Sequence, residues 1–168
     1  MNILVINGPN LNLLGLREPS LYGQRDYPAL CDYIRRSARE LGAVCEIFQS
    51  NHEGALVEAI QGAYGRYDAI VLNAAAYTHT SVAILDALKA VGLPAVEVHL
   101  TDIEKREDFR RLSYPALYCE ARFMGRGFES YRDALLYLAE RDAGETPLAR
   151  TDAGKNFTIP SQDFHPFP

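Results

Sequence analysis

Short apolar runs recur along the chain between longer segments of mixed character. Ile3 to Ile6, Val44 to Gln49, Ala69 to Asn73 and Ala95 to His99 each stop at polar or turn-forming residues, which predicts strands. A weaker fifth strand is expected near Cys119 to Met124. The run from Ala69 to Leu72 is apolar on both sides, as in a central parallel strand covered on both faces. Between the runs, apolar residues fall at helical spacing. Leu30, Ile34, Ala38 and Leu41 mark one helix, with Asp26 as its cap, Pro28 in its first turn and Gly42 at its end. Leu56, Ile60 and Ala63 mark a second, capped by Ser50 or Asn51 with Glu53 in its first turn. A third helix is expected from Val82 to Val91, ending at Gly92, and a fourth from Phe128 to Arg141. The segment from Leu100 to Arg111 is dense in charge and predicts a short helix.

Strands alternating with helices at this rhythm give an α/β class: a parallel sheet with helices on both faces. Right-handed crossovers then open the C-terminal ends of the first, third and fourth strands on one edge, so their polar loops converge. From Ala143 onward the periodicity stops. The expected organisation is one domain over 1–143 and a C-terminal tail over 144–168, extended or disordered.

A length of 168 residues fits one domain with a sizeable core, and a net charge of −5 argues against nucleic acid or an anionic membrane as partner. A small soluble substrate fits better. No apolar run approaches a membrane span, and Met1 leads directly into the first strand, so neither a membrane anchor nor a secretion signal is expected. Cys31, Cys45 and Cys119 are odd in number and lack paired-ligand spacing, which points to reduced thiols, small buried hydrophobes and a cytoplasmic protein.

The converging loops carry Asn10, Arg17 and Tyr22 after the first strand, Asn73 and His79 after the third, and Glu97, His99, Arg106 and Arg110 at and after the fourth. Three chemistries can be weighed. A metal site would draw on His52, His79 and His99 with Glu97 or Asp102, but no His-x-x-x-His or Cys pair supports it. A phosphate cradle would need closely set Gly or hydroxyl residues, and the loop from Asn7 to Gly15 offers only Gly8 and Gly15. Acid–base chemistry on a small, oxygen-rich acid fits best. Glu97 and His99 are two apart on one strand, so both side chains point to one face, and a carboxylate beside an imidazole favours the protonated ring, a competent general acid. Tyr22 becomes a base only with a neighbouring cation such as Arg17 to favour its phenolate. Arg110, His79 and the backbone at Leu100 and Thr101 can hold hydroxyls and a carboxylate. Taken singly, each residue has an ordinary reading: Asn10 and Asn12 as turn caps, Tyr22 as an aromatic stopper, Tyr77 and His79 as a hydrogen-bonded turn, and the arginines as a solvated face.

The combination weighs differently. Asn7-Gly-Pro-Asn-Leu-Asn-Leu-Leu-Gly15 with Arg17-Glu-Pro19 and Tyr22-Gly23, then Gln49-Ser-Asn-His-Glu-Gly54, Asn73 to Ser81, Glu97-Val-His99 and Arg106 to Arg110, closely resembles the type II 3-dehydroquinate dehydratases over Asn2 to Leu138. The resemblance implies a flavodoxin-like three-layer sandwich with a five-stranded parallel sheet. It implies a homo-oligomer, a dodecamer built as a tetramer of trimers, that eliminates water from 3-dehydroquinate to give 3-dehydroshikimate through an enolate, with no metal and no cofactor. That step serves the shikimate pathway to chorismate and aromatic amino acids, and also quinate catabolism.

Carried over residue by residue, the resemblance makes Tyr22 the base, on a flap shared with Arg17, and Asn10 a holder of the water that stabilises the enolate. His99, paired with Glu97, is the acid. Asn73 holds the departing hydroxyl, and Leu100 and Thr101 take the carboxylate through their amides. His79 and Arg110 anchor ring hydroxyls, Arg106 supports them, and Asp86 reaches the site of an adjacent subunit. Three places depart from the family pattern: Ala74 stands where proline is usual, and Cys119 to Gly125 and Arg126 to Tyr131 are atypical. The alternatives are a catalytically silent or altered-specificity paralogue, or a flavodoxin-like ligand-binding module.

Overall fold

The computed structural model describes residues 1–16 and 26–144. Arg17, Tyr22 and the chain after Gly144 lie outside the described residues. Five strands, β1 Asn2–Asn7, β2 Val44–Gln49, β3 Ala69–Asn73, β4 Ala95–His99 and β5 Ala121–Met124, form an all-parallel sheet in the order β2-β1-β3-β4-β5. Four α-helices cover it: α1 Tyr27–Glu40, α2 Glu53–Gln61, α3 Val82–Val91 and α4 Glu129–Asp142.

Alternation along the strands sorts the core into two halves. Ile3, Val5, Val71 and Val98 meet Leu30 and Ile34 of α1 and Leu135 and Leu138 of α4 on one face. Leu4, Ile6, Ile70 and Leu72 meet Leu56 and Ile60 of α2 and Ile84 and Leu88 of α3 on the other. The result is a three-layer sandwich of flavodoxin-like topology, whose strand order reverses beside β1 and places a crevice at the C-terminal ends of β1 and β3. No helix among the described residues is long and apolar enough to cross a membrane.

Asp26 caps α1 by accepting from the Ala29 amide, Pro28 sits in the first turn, and Gly42 follows the helix with φ 71°. Ser81 caps α3 through the Ile84 amide, and Gly92 closes it in the left-handed region. The second helix differs from expectation: His52, whose side chain makes no capping bond, is its N-cap residue. Ser50 is spent one step early, accepting from the His52 amide, and the Asn51 side chain is drawn away to the Asn10 amide. The charged segment after β4 forms two separate 3-10 turns, Ile103–Lys105 and Asp108–Arg110, in place of one helix. Cys119 is buried before β5 begins, with its amide bonded to the Pro115 carbonyl. All three cysteines are free; Cys31 and Cys119 are buried, whereas Cys45 is only half-buried. Arg122, unexpected in an edge strand, bonds Glu104 at 2.8 Å and lies in register with Glu97.

The loops after β1 and β3 are held against each other. The Gly8 amide donates to the Asn73 carbonyl at 2.7 Å, and a Cβ at Gly8 would stand 2.4 Å from the Ala74 carbonyl oxygen. Only glycine permits this approach.

Candidate active site

A cavity of about 300 Å³ opens at the C-terminal ends of β1, β3 and β4. Asn10, Asn73, His79, His99, Leu100, Thr101, Arg106 and Arg110 all line it. Glu97 does not. Its side chain is fully buried behind His99 and meets the cavity only through that ring. Asp86 is exposed on α3 and does not line this cavity.

The Glu97 carboxylate sits in a strand whose five residues are all buried. Burying a charge is costly unless it is paired and hydrogen-bonded. Here His99 Nε2 lies 2.9 Å from Oε1, the Ser113 hydroxyl lies 2.8 Å from both oxygens, and Thr78 Oγ1 lies 3.2 Å from Oε1. Burial pushes the Glu97 pKa up, but the His99 charge, the His99 and Ser113 hydrogen bonds and the Arg122 charge outweigh it, and the pKa falls below the ordinary value. A carboxylate held ionised in this way directs the Nε2–H of His99 inward. The other ring nitrogen, Nδ1, is then the one available for proton exchange at the cavity.

His79 is oriented differently. Its Nδ1 lies 2.7 Å from the Leu112 carbonyl, and a carbonyl only accepts, so Nδ1 carries the hydrogen. Burial lowers the pKa of this ring; the Leu112 bond opposes that, and the His99 and Arg110 charges add to it. The neutral ring therefore presents Nε2 as an acceptor for a hydroxyl. Arg110 lines the same side, and its Nε is buried without a hydrogen-bond partner among the described residues, although Glu107 stands 3.4 Å away as an ion pair. An unmet guanidinium donor beside a cavity suits an oxygen-rich ligand.

At the opposite wall, Asn10 is in the left-handed region at φ 66°, which asparagine tolerates. Its amide donates to Asn51 Oδ1 at 2.9 Å, and Gln49 Nε2 approaches the Gly8 carbonyl and Asn51 Oδ1 at 3.2 Å each. Gln49 and Asn51, quoted in the sequence only as part of a motif, thus fasten the turn that carries Asn10.

Asn73 anchors a second buried set. Its Nδ2 donates to the Tyr131 hydroxyl at 2.8 Å, and its Oδ1 accepts from the Ala75 amide at 3.2 Å. Tyr131 in turn donates to Asn7 Oδ1 at 2.7 Å, and Asn7 Nδ2 lies 3.4 Å from the Tyr27 hydroxyl. Sequence reasoning gave no role to Ser113, Thr78, Asn7 or Tyr131. Thr78 and Asn7 lay inside quoted motifs; Ser113 and Tyr131 carry no local signal that separates them from loop and helix residues.

The profile of the class II dehydroquinases (Dehydroquinase class II) matches residues 1–139. A 3-dehydroquinate dehydratase of Clostridium perfringens is 51% identical over 142 residues, 84% of this chain and 99% of that protein. One from Synechocystis is 51% identical over 138 residues, 82% of this chain and 91% of that one. Among solved structures, the type II dehydroquinase from Propionibacterium acnes superposes with a TM-score of 0.79 at 38% identity, covering 82% of this chain and 95% of that chain. The type II dehydroquinase from Butyrivibrio crossotus gives 0.76 at 44% identity, covering 78% and 92%. With a matching profile over most of its length and relatives at this identity, the chain belongs to the class II dehydroquinase family.

Proposed function

We propose that this protein is a hydro-lyase that converts 3-dehydroquinate to 3-dehydroshikimate and water. The observation that carries the reading is the His99 ring at the cavity edge, braced from behind by the buried, ionised Glu97. In the proposed cycle the Tyr22 phenolate, favoured by Arg17, removes a C2 proton. The electron pair moves to the ring carbonyl as an enolate, stabilised through a water held by Asn10. Collapse of the enolate breaks the C1–O bond as His99 gives its proton to the departing hydroxyl, which Asn73 holds, and water leaves. The proton taken up by Tyr22 then passes to His99, directly or by release to solvent and uptake from it, restoring both groups.

Binding is assigned to the same walls. The amides of Leu100 and Thr101 take the substrate carboxylate, and the Nε2 acceptor of His79 and the unmet Nε of Arg110 take ring hydroxyls, with Arg106 beside them. Asp86, exposed on α3, is assigned to the pocket of a neighbouring copy in a dodecameric tetramer of trimers. No metal or cofactor enters this scheme. The three free thiols favour a cytoplasmic role, in the shikimate pathway or in quinate breakdown.

Purified protein in EDTA, with no added cofactor, should raise the conjugated-enone absorbance when given 3-dehydroquinate; no rise overturns the reading. Tyr22→Phe should lower turnover at least ~100-fold, as loss of a positioned base does. A near-normal rate would remove Tyr22 from the role.

A further inference from the structure

Tyr131 lies in the first turn of α4 and is fully buried within an otherwise apolar cluster. Phenylalanine would fill the same space there without a polar atom to satisfy. The hydroxyl is explained by what it holds. The Ala75 amide can only donate, so the atom of Asn73 that faces it is Oδ1, and Nδ2 must face Tyr131. Because Nδ2 donates to the phenol oxygen, the single hydroxyl proton is sent the other way, to Asn7 Oδ1. Three bonds thus fix one amide in one orientation. They leave Asn73 with a second Nδ2–H and a second Oδ1 lone pair for the cavity it lines.

We propose that Tyr131 is a positioning residue for the reaction: its hydroxyl, oriented by Asn7, holds the Asn73 amide in the attitude that grips the departing hydroxyl. The inference rests on the function proposed above, in which Asn73 has that task. It assigns a role in the reaction to a helix that contributes no residue to the cavity lining.

The test is a double-mutant cycle between Tyr131→Phe and Asn73→Ala, with stability followed in parallel by urea unfolding. In the native background, Tyr131→Phe should lower kcat ~10-fold, the size of one lost oriented hydrogen bond. KM should stay within about a factor of two, because the loss is felt in the transition state. In the Asn73→Ala background, Tyr131→Phe should cost no further turnover. An unchanged kcat in the native background, or the same loss in both, overturns the proposal and leaves Tyr131 a packing residue. Asn7→Ala, which keeps the phenol but removes the acceptor that directs its proton, should reproduce the kcat loss if Tyr131→Phe does not fold; a native kcat there overturns the proposal equally. A crystal structure of Tyr131→Phe separates this inference from the functional reading. If the unsubstituted protein does not turn over 3-dehydroquinate, the reading fails, and the structure alone decides: a turned Asn73 amide supports positioning, and an unmoved one refutes it.

Discussion

Two buried polar groups flank the cavity, and they are built to opposite specifications. Around Glu97 the members are a carboxylate, an imidazole and two hydroxyls, one of which spans both carboxylate oxygens. Around Asn73 every member is neutral: two amides, the Tyr131 phenol and a backbone N–H, with Tyr27 at the far end. The first set exists to carry charge and can exchange a proton through His99. The second cannot change charge near neutral pH. Burial pushes the Tyr27 pKa up to about 12 despite its Asn7 bond, and raises that of Tyr131 further. Proton traffic and geometric restraint are therefore assigned to different residues on neighbouring strands.

The largest effect should come from stranding the charge. His99→Ala removes the proposed proton donor and leaves Glu97 buried without its ring. Turnover should fall at least ~100-fold, and urea unfolding should show a loss of about 3 kcal/mol. If stability were unaffected, the cluster would not be the charged half of the comparison. Ser113→Ala keeps the donor but removes a hydroxyl 2.8 Å from both carboxylate oxygens, so a loss of about 2 kcal/mol is expected in the same titration.

A pH series of urea midpoints separates the two sets next. Glu97 has its folded pKa below the ordinary 4.5, so the stability it contributes is present above that value and is lost as pH falls through the folded pKa. The tyrosines are raised, so their contribution is present below the ordinary 10.0 and is lost as pH rises towards about 12 and beyond. His99→Ala should shrink the acid-side loss and leave the alkaline side alone; an equal change on both sides would merge the two sets into one. The smallest effect belongs to the neutral side. Ala75 holds φ 51°, and Ala75→Gly should gain about 0.5 kcal/mol, the left-handed penalty less the entropy that glycine forfeits.

Periodicity made the sheet legible because each strand is a short apolar run between turn formers, and β2, β3 and β4 fall where the pattern puts them. Helix caps were less secure. Ser50 and Asn51 are good cap residues by type, yet both have partners elsewhere, and one of these partners is on the loop after the neighbouring strand β1. The pairing of Glu97 with His99 could be read from the two-residue alternation of a strand. The brace behind it could not: Ser113 is 16 residues away, and Tyr131 is 58 residues from Asn73 and 124 from Asn7. No local rule links residues at such separations. Arg122, out of place as an edge-strand residue, makes sense only once Glu104 and Glu97 are seen beside it.

The line from Ala75 through Asn73, Tyr131 and Asn7 to Tyr27 has a direction. Each side chain in it can either give or receive, so the whole line could run either way, and one main-chain proton on Ala75 decides which. An aspartate in place of Asn73 would receive from both sides. The phenol would then give towards the cavity, the Asn7 amide would turn over, and Tyr27 would become the source. A one-atom change at the pocket wall would be registered at the start of α1, which makes this line a record of polarity written across the sandwich.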